Sequence, residues 1–357
     1  MNRTPAFSFD RIENPTVYAK RINHLIFQRP NLALAVNFLT DFGLKVLDQR
    51  PDEVFLRGTE SAPYCYHLKM GEKAEFLGFG LEVESLADLE KLSRIESASS
   101  VDALKTPGGG YGVTLKDPSG FLVQAVYGQT YEPELAHRTA LALNDNTQQS
   151  RINTPQRPPI SPPEVLRLGH VVLEIADFQK TITWYMQHFG LIPSDIQVLA
   201  DGSPAVAFMR LNLGDVPADH HTLALAQGIF PVYSHSAYEV VDADAIGMGQ
   251  RVLRDKGWNH AWGIGRHILG SQIFDYWNDP WNSKHEHYCD GDLFDASVAT
   301  GFHPVSRSAM SQWGPLMPKS FTRPELSPKR IAQAAYHLGV SRDVTLKKVI
   351  SLAKIFM

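Results

Sequence analysis

Cysteine is nearly absent: Cys65 and Cys289 are the only two in 357 residues, too few for a disulfide framework, so a reducing cytoplasm is the expected location. No apolar run reaches membrane-spanning length, and the opening stretch MNRTPAFSFDRIENPT lacks the apolar core of a signal peptide. Excess charge of one sign is also missing. The 34 Lys and Arg against 38 Asp and Glu leave a net charge of -4, which gives no reason to expect nucleic acid or an anionic membrane as a partner. The remainder is ordinary for a globular protein, 43% apolar and 20% charged, in a chain long enough for two hydrophobic cores. Histidine is the exception, with fourteen residues that cluster.

Residues 1–20 are polar and broken by proline, and read as a loose arm. Arg21–Phe27 (RINHLIF) is strand-like. Leu32–Leu44 follows with Leu34, Phe38 and Phe42 at four-residue spacing, which predicts an amphipathic helix closed by Gly43. Strand-like runs come next at VFLRG, YCYHL, LGFGLEV, YGVTLKD and FLVQAVYG, with a helical pattern, SLADLEKLSRIES, between the third and fourth. These make an N-terminal domain over 21–128. From 129 to 166 Gln, Asn, Thr and Pro dominate, an extended connection with room for a short helix at ELAHRTALAL.

After the connection the first pattern returns, over 167–305. RLGHVVL (Arg167–Leu173) matches RINHLIF in character, TWYMQHFGL echoes VNFLTDFGL, HSAYEV echoes GFGLEV, and Asp279-Pro280 echoes Asp117-Pro118. Correspondences in the same order argue for an internal duplication. Residues 306–357 form a helical extension, with Ser327-Pro328 as a start, Gly339 as a stop and Ser341 as a second cap. From Arg323 it carries seven Lys/Arg against two Asp/Glu. AQAAYHLGVSRDVTLKKVI superficially resembles a helix-turn-helix, but a glycine between capped helices is common. A docking or oligomer-contact tail is the preferred reading, with a cover over a site mouth left open.

The duplication allows one half to be compared with the other. Where the second half has His170, His235 and Glu286, the first has His24, Gly78 and Gln124. The second therefore holds three good ligands for a divalent metal, and the first has lost two. Two neutral imidazoles and one carboxylate leave coordination positions open, as in non-haem Fe(II) oxygenases. His170 begins HVVLEI, sharing a face with Val172 and Glu174 while Val171, Leu173 and Ile175 face a core. A hairpin folded about Trp281 places Tyr276 opposite Glu286, with His267 one strand-length earlier. Any single strand histidine is more often a hydrogen-bonded core residue; the set of three in a repeated frame is not so easily explained.

GHVVLE, HHT, HSAYEV, GRH and DPWNSKHEHYCDGD together resemble the type I extradiol ring-cleavage dioxygenases of the vicinal oxygen chelate superfamily. The resemblance covers residues 21 to about 305. Its narrower form is to trihydroxytoluene oxygenases. It implies an α+β fold of two tandem domains, each of paired βαβββ modules forming a curved open barrel. It further implies His170, His235 and Glu286 as ligands of Fe(II), with Mn(II) as the alternative, and His221 as the acid-base group beside the metal, with His220 as the competing choice. His267 and Tyr276 would contact the catecholate, and Val172, Ser234 and His220 would line the pocket. The partners implied are a catecholic substrate, O2 and further copies of the chain. Alternatives are a hydroxyphenylpyruvate-type dioxygenase using a 2-oxo acid, a glyoxalase or epimerase, and a vicinal oxygen chelate binding protein without turnover.

Overall fold

The computed structural model describes residues 9–322 and 327–356; residues 1–8 of the arm, and 323–326 and 357 of the extension, lie outside the described residues. The first half runs β1 (Arg21–Arg29), α1 (Leu32–Asp41), β2 (Lys45–Gln49), β3 (Glu53–Arg57) and β4 (Tyr66–Met70). It continues with β5 (Glu75–Glu82), α2 (Leu86–Leu92), β6 (Asp102–Ala103), β7 (Tyr111–Lys116) and β8 (Leu122–Tyr127). The second half repeats the plan with β9 (Val165–Ile175), α3 (Phe178–Phe189), β10 (Ile192–Val198), β11 (Pro204–Arg210), a short β12 (Ala218–Asp219) and β13 (Leu223–Gln227). Then come β14 (Val232–Val240), α4 (Ala243–Asp255), β15 (Asn259–Arg266), β16 (Ile273–Asn278) and β17 (Lys284–Cys289). β18 (Leu293–Phe294), β19 (Gly301–Pro304), α5 (Pro328–Val340) and α6 (Leu346–Phe356) complete the described chain.

The strands form two large open sheets, ordered β2-β3-β4-β1-β5-β8-β7-β6 and β15-β16-β17-β14-β9-β13-β11-β10-β19. Each βαβββ unit closes by laying its last strand parallel to its first, as β4 does on β1 and β17 on β14. Paired units meet through antiparallel first strands, β1 on β5 and β9 on β14. Strand parity does the sorting. On β9, Val171, Leu173 and Ile175 are wholly buried in the main core, where each contributes on the order of 1.5–3 kcal/mol. The alternate residues turn to the other face. Helix α3 covers this core with Phe178, Ile182, Tyr185, Met186 and Phe189, and ends at Gly190, whose φ of 67° suits a residue without Cβ.

Several local expectations shift. Leu34 is 37% exposed, and α1 instead buries Leu32, Ala35, Phe38 and Leu39, so the apolar stripe is rotated from the spacing that Leu34 suggested. Residues 134–143 form no helix. Arg138 and the Leu141 amide are drawn to the carboxylate of Asp242, which fastens this segment to the start of α4 in an extended path. Gly339 does not stop α5, which runs through Val340 to a cap at Ser341; α6 starts only at Leu346, with Thr345 accepting from the Lys348 amide. Among the described residues no helix is long and apolar enough to cross a membrane.

The two Asp-Pro turns hold the halves together reciprocally. Asp117 accepts the amides of Ser119 and Phe121 in its own turn and the hydroxyl of Tyr185 on α3 at 2.9 Å. Asp279 accepts the amides of Trp281 and Ser283 and, from the other half, Nε and Nη2 of Arg29 at 3.1 and 2.8 Å. Arg29 and Asp279 are 1% and 4% exposed at their side chains. Removing one partner strands the other charge in a low-dielectric site. Arg29→Met is therefore expected to lower stability by about 3–5 kcal/mol in chemical denaturation. A loss below about 1 kcal/mol would place the pair with surface ion pairs.

Candidate metal centre

Three adjacent strands, β9, β14 and β17, carry the candidate ligands. Ala237 on β14 pairs with His170 on β9 and with Glu286 on β17, and His235 pairs with Val172. Residues directly opposite share a face, so the methyl group of Ala237 is all that stands between His170 and Glu286, and His235 closes the third side. Strand β14 starts at Val232 and β9 at Val165, so both histidines lie inside strands rather than at their starts. His170 Nε2 and His235 Nε2 approach Glu286 Oε2 at 3.4 and 3.5 Å. One ligand atom from each residue lies within 4.8 Å of the others.

Parity along β17 separates chemistry from packing. Glu286 lies on the face of His170 and Tyr276, while His285 and His287 face the other half: His285 Nε2 meets Tyr66 Oη at 3.1 Å and His287 Nε2 donates to the Phe42 carbonyl at 2.7 Å. Both are core histidines; His285 is bonded at both ring nitrogens, its Nδ1 to the Ser283 carbonyl, and His287 at Nε2 alone. Glu286 is wholly buried, and neither of its oxygens has a hydrogen-bond partner. A buried carboxylate without partners is costly unless a cation compensates it. Burial by itself would raise this carboxyl; His170, His267 and His235 outweigh that and hold it well below the usual range. Burial also drops His235 to about 3, against the pull of Glu286, so its imidazole is neutral. Neutral imidazole with ionised carboxylate is the donor set that coordinates a divalent metal. The residues fit such an ion.

The equivalent place in the first half cannot be used this way. His24 pairs with Gly80, and Gly80 with Gln124, the same register as His170, Ala237 and Glu286. His24 lies directly over Gly80, where an added Cβ would come within 2.4 Å of its ring. At Gly78, the counterpart of His235, a Cβ would meet the Leu122 carbonyl oxygen at 2.0 Å. Among the described residues His170, His235 and Glu286 form the one cluster suited to a metal ion.

Next to the cluster lies a cavity of about 240 Å³ lined by His170, Val172, His221, Ser234, His235, His267 and Tyr276. Tyr276 pairs with Glu286 across β16 and β17, as the hairpin about Trp281 requires. Its ring stacks on Trp262 at 5.4 Å and stands edge-on to His235 at 5.1 Å. Burial, then Glu286, raises its phenol well above the ordinary value, so it remains a donor. His267 Nδ1 donates to the Met310 carbonyl at 2.7 Å, which leaves Nε2 to accept the Tyr276 hydroxyl at 2.9 Å. His221 lies against His170, with ring centroids 4.0 Å apart, and burial, His170 and His220 hold it well below its ordinary value. His220 is not brought to the cavity. It sits behind His221, bonded to it and to Asp195, because adjacent residues leaving a strand edge point in different directions.

Strand parity put Glu174 on the face of His170 without assigning it to the pocket, and it lines the cavity; other lining groups were passed over. Phe321, Leu352 and Phe356 bring the C-terminal extension over the cavity, fastened by Lys348 Nζ on Gln227 Oε1 at 2.9 Å. No spacing rule points from a distant helix to this mouth.

The model of the Glyoxalase/Bleomycin resistance protein/Dioxygenase superfamily matches residues 167–286, the segment that contains all three candidate ligands. Metapyrocatechase 2 of Cupriavidus necator is 30% identical over 307 residues, 85% of this chain and 91% of that protein. The fold is shared with an extradiol ring-cleaving dioxygenase from B. fuscum (TM-score 0.73, 19% identity, 90% of this chain and 87% of that one). It is shared equally with a Mn(II)-bound glyoxalase from Novosphingobium aromaticivorans (TM-score 0.72, 20% identity, 87% and 97%). With a metapyrocatechase relative spanning most of its length and two tandem open sheets of βαβββ units, this chain belongs to the extradiol ring-cleaving dioxygenases of the glyoxalase/dioxygenase superfamily.

Proposed function

We propose that this protein is an Fe(II)-dependent dioxygenase that opens the ring of a substituted catechol or trihydroxylated aromatic beside its diol. One O2 is consumed, both of its atoms enter the product, and a 2-hydroxymuconic semialdehyde-type compound results. The observation that carries the reading is Glu286, buried without a hydrogen-bond partner and facing the imidazoles of His170 and His235. His170, His235 and Glu286 would hold the metal, which would supply adjacent open positions for a diol and O2.

The remaining side chains supply binding and proton handling. A catechol must shed protons to bind as a chelating anion, and His221, neutral and facing the cavity, can accept one and return it later. On substrate binding the one hydroxyl hydrogen of Tyr276 would turn from His267 Nε2 to the catecholate oxygen and stabilise the charge left there. Until then His267, tied through Nδ1 to a backbone carbonyl, holds the hydroxyl in place. Val172 and Ser234 line the cavity and would flank the substrate ring. Met310, Met317 and Phe321 add apolar wall that keeps water from the reacting atoms. A 2-oxo acid has less support: among the described lining residues there is no Lys or Arg to receive its carboxylate.

The direct test is anaerobic loading with Fe(II), followed by aerobic turnover of a panel of substituted catechols. A yellow product with one O2 taken up per diol is expected; iron binding without oxygen uptake on any catechol would overturn the assignment. Metal should also stabilise the fold by mass action, by about 2.7 kcal/mol at a free concentration of 100 Kd. The rise in Tm on adding Fe(II) should vanish in His235→Ala and Glu286→Gln. Tyr276→Phe should keep iron and lose one hydrogen bond to a charged group, worth about 1.5–3 kcal/mol. That corresponds to roughly a 10- to 150-fold fall in kcat by steady-state kinetics.

A further inference from the structure

Behind His221 lies a continuous run of hydrogen bonds that the reaction scheme above does not use. Asp195, on β10, is 9% exposed and divides its two oxygens between two histidines. Oδ2 accepts from His220 Nε2 at 2.7 Å, and Oδ1 accepts from His303 Nε2 at 2.8 Å. His220 Nδ1 lies 3.0 Å from His221 Nδ1. His220 and His221 are 1% and 4% exposed, whereas the side chain of His303 is 43% exposed. The run therefore reaches from solvent, through one carboxylate and one buried imidazole, to the imidazole facing the cavity.

The bonds are directional, and the direction follows from the carboxylate. An ionised Asp195 has no proton to give, so Nε2 of His220 must carry one. Where that is the one proton on the His220 ring, its Nδ1 is bare. Two ring nitrogens 3.0 Å apart need one donor between them, and with His220 accepting, the donor is Nδ1–H of His221. That leaves Nε2 of His221 as the bare nitrogen. The logic is that of an aspartate holding a histidine in the tautomer its chemistry needs, lengthened by one imidazole.

The surroundings keep the run in place. Phe208 and Phe294 pack on the His220 ring at 5.6 and 5.4 Å between centroids, limiting its rotation. Asp195 pairs with Gly301 on β19, where a Cβ would lie 2.1 Å from Oδ1 and 2.7 Å from His303 Nε2. Only a residue without a side chain leaves room there for both groups. The pairing of β10 with β19 thus brings together two residues 108 positions apart in the chain.

We propose that Asp195 and His220 are positioning residues that hold His221 as the Nδ1-protonated tautomer with Nε2 bare toward the cavity, and that His303 connects this run to solvent. The proposal rests on His221 serving as the acid-base group of the assigned reaction. Substrate binding does not pass through these groups.

The test combines ¹⁵N-histidine NMR of the metal-free protein with kinetics of the Fe(II)-loaded enzyme. His221 resonances are assigned by their loss in His221→Asn. In the wild type at alkaline pH, His221 should show a protonated Nδ1 and an unprotonated Nε2; the opposite tautomer overturns the proposal whether or not Asp195→Asn folds. In Asp195→Asn an amide N–H can face His220 and reverse the run, so the His221 tautomer should invert. The same variant should lose about 10- to 100-fold in kcat with KM for the catechol nearly unchanged, and Asp195→Glu should recover part of it. Unchanged kcat and tautomer in Asp195→Asn overturn the positioning role alone, provided His221→Asn has lost turnover. Full turnover in His221→Asn overturns the acid-base reading beneath it.

Discussion

A carboxylate that is wholly buried and lacks any hydrogen-bond donor organises this protein. Glu286 occupies a central strand of a nine-stranded sheet, where water cannot reach it. Taken alone that arrangement is destabilising. It becomes intelligible when two imidazoles from the neighbouring strands face the same point, since a divalent cation held there would compensate the charge and satisfy all three side chains. The small residue at Ala237, the edge-on contact of Tyr276 with His235 and the aromatic wall of Trp262 and Phe321 all serve to keep that point dry and open.

The two halves share one plan but divide the labour. Backbone register puts His24, Gly80 and Gln124 where the second half has His170, Ala237 and Glu286. In the first half the histidine ring fills the space over its glycine. The first half instead supports the second: Arg29 anchors the hairpin turn that leads into Glu286, and Tyr66 and the Phe42 carbonyl bond to His285 and His287 on its far face. Glu286 is thus fixed from behind by its strand neighbours.

Much of this was legible because β-strand parity has a period of two and needs no tertiary information. It separated His170, Val172 and Glu174 from Val171, Leu173 and Ile175, and it placed Tyr276 opposite Glu286 once the turn at Asp279-Pro280 was recognised. The duplication supplied the rest, since a repeated frame shows which copy carries all three candidate ligands. Helix faces were less secure: Leu34 fits the four-residue spacing yet is exposed, because the docking angle of α1 rather than its spacing selects Ala35 and Leu39.

Asp195, Arg29 and the closing residues Phe321, Leu352 and Phe356 carry no such signal. Asp195 meets His220 through strand pairing over 25 residues and His303 over 108, and Arg29 meets Asp279 over 250. Contacts at those separations depend on which sheets and edges come together, and local spacing does not encode that. The sequence by itself therefore determined the duplicated α+β plan, the three candidate ligands and the face they share, because those follow from local periodicity and repetition. The placement of His221 before His220, the run behind them and the cover over the cavity were decided only by tertiary packing, which sets how strand edges and the C-terminal helices meet.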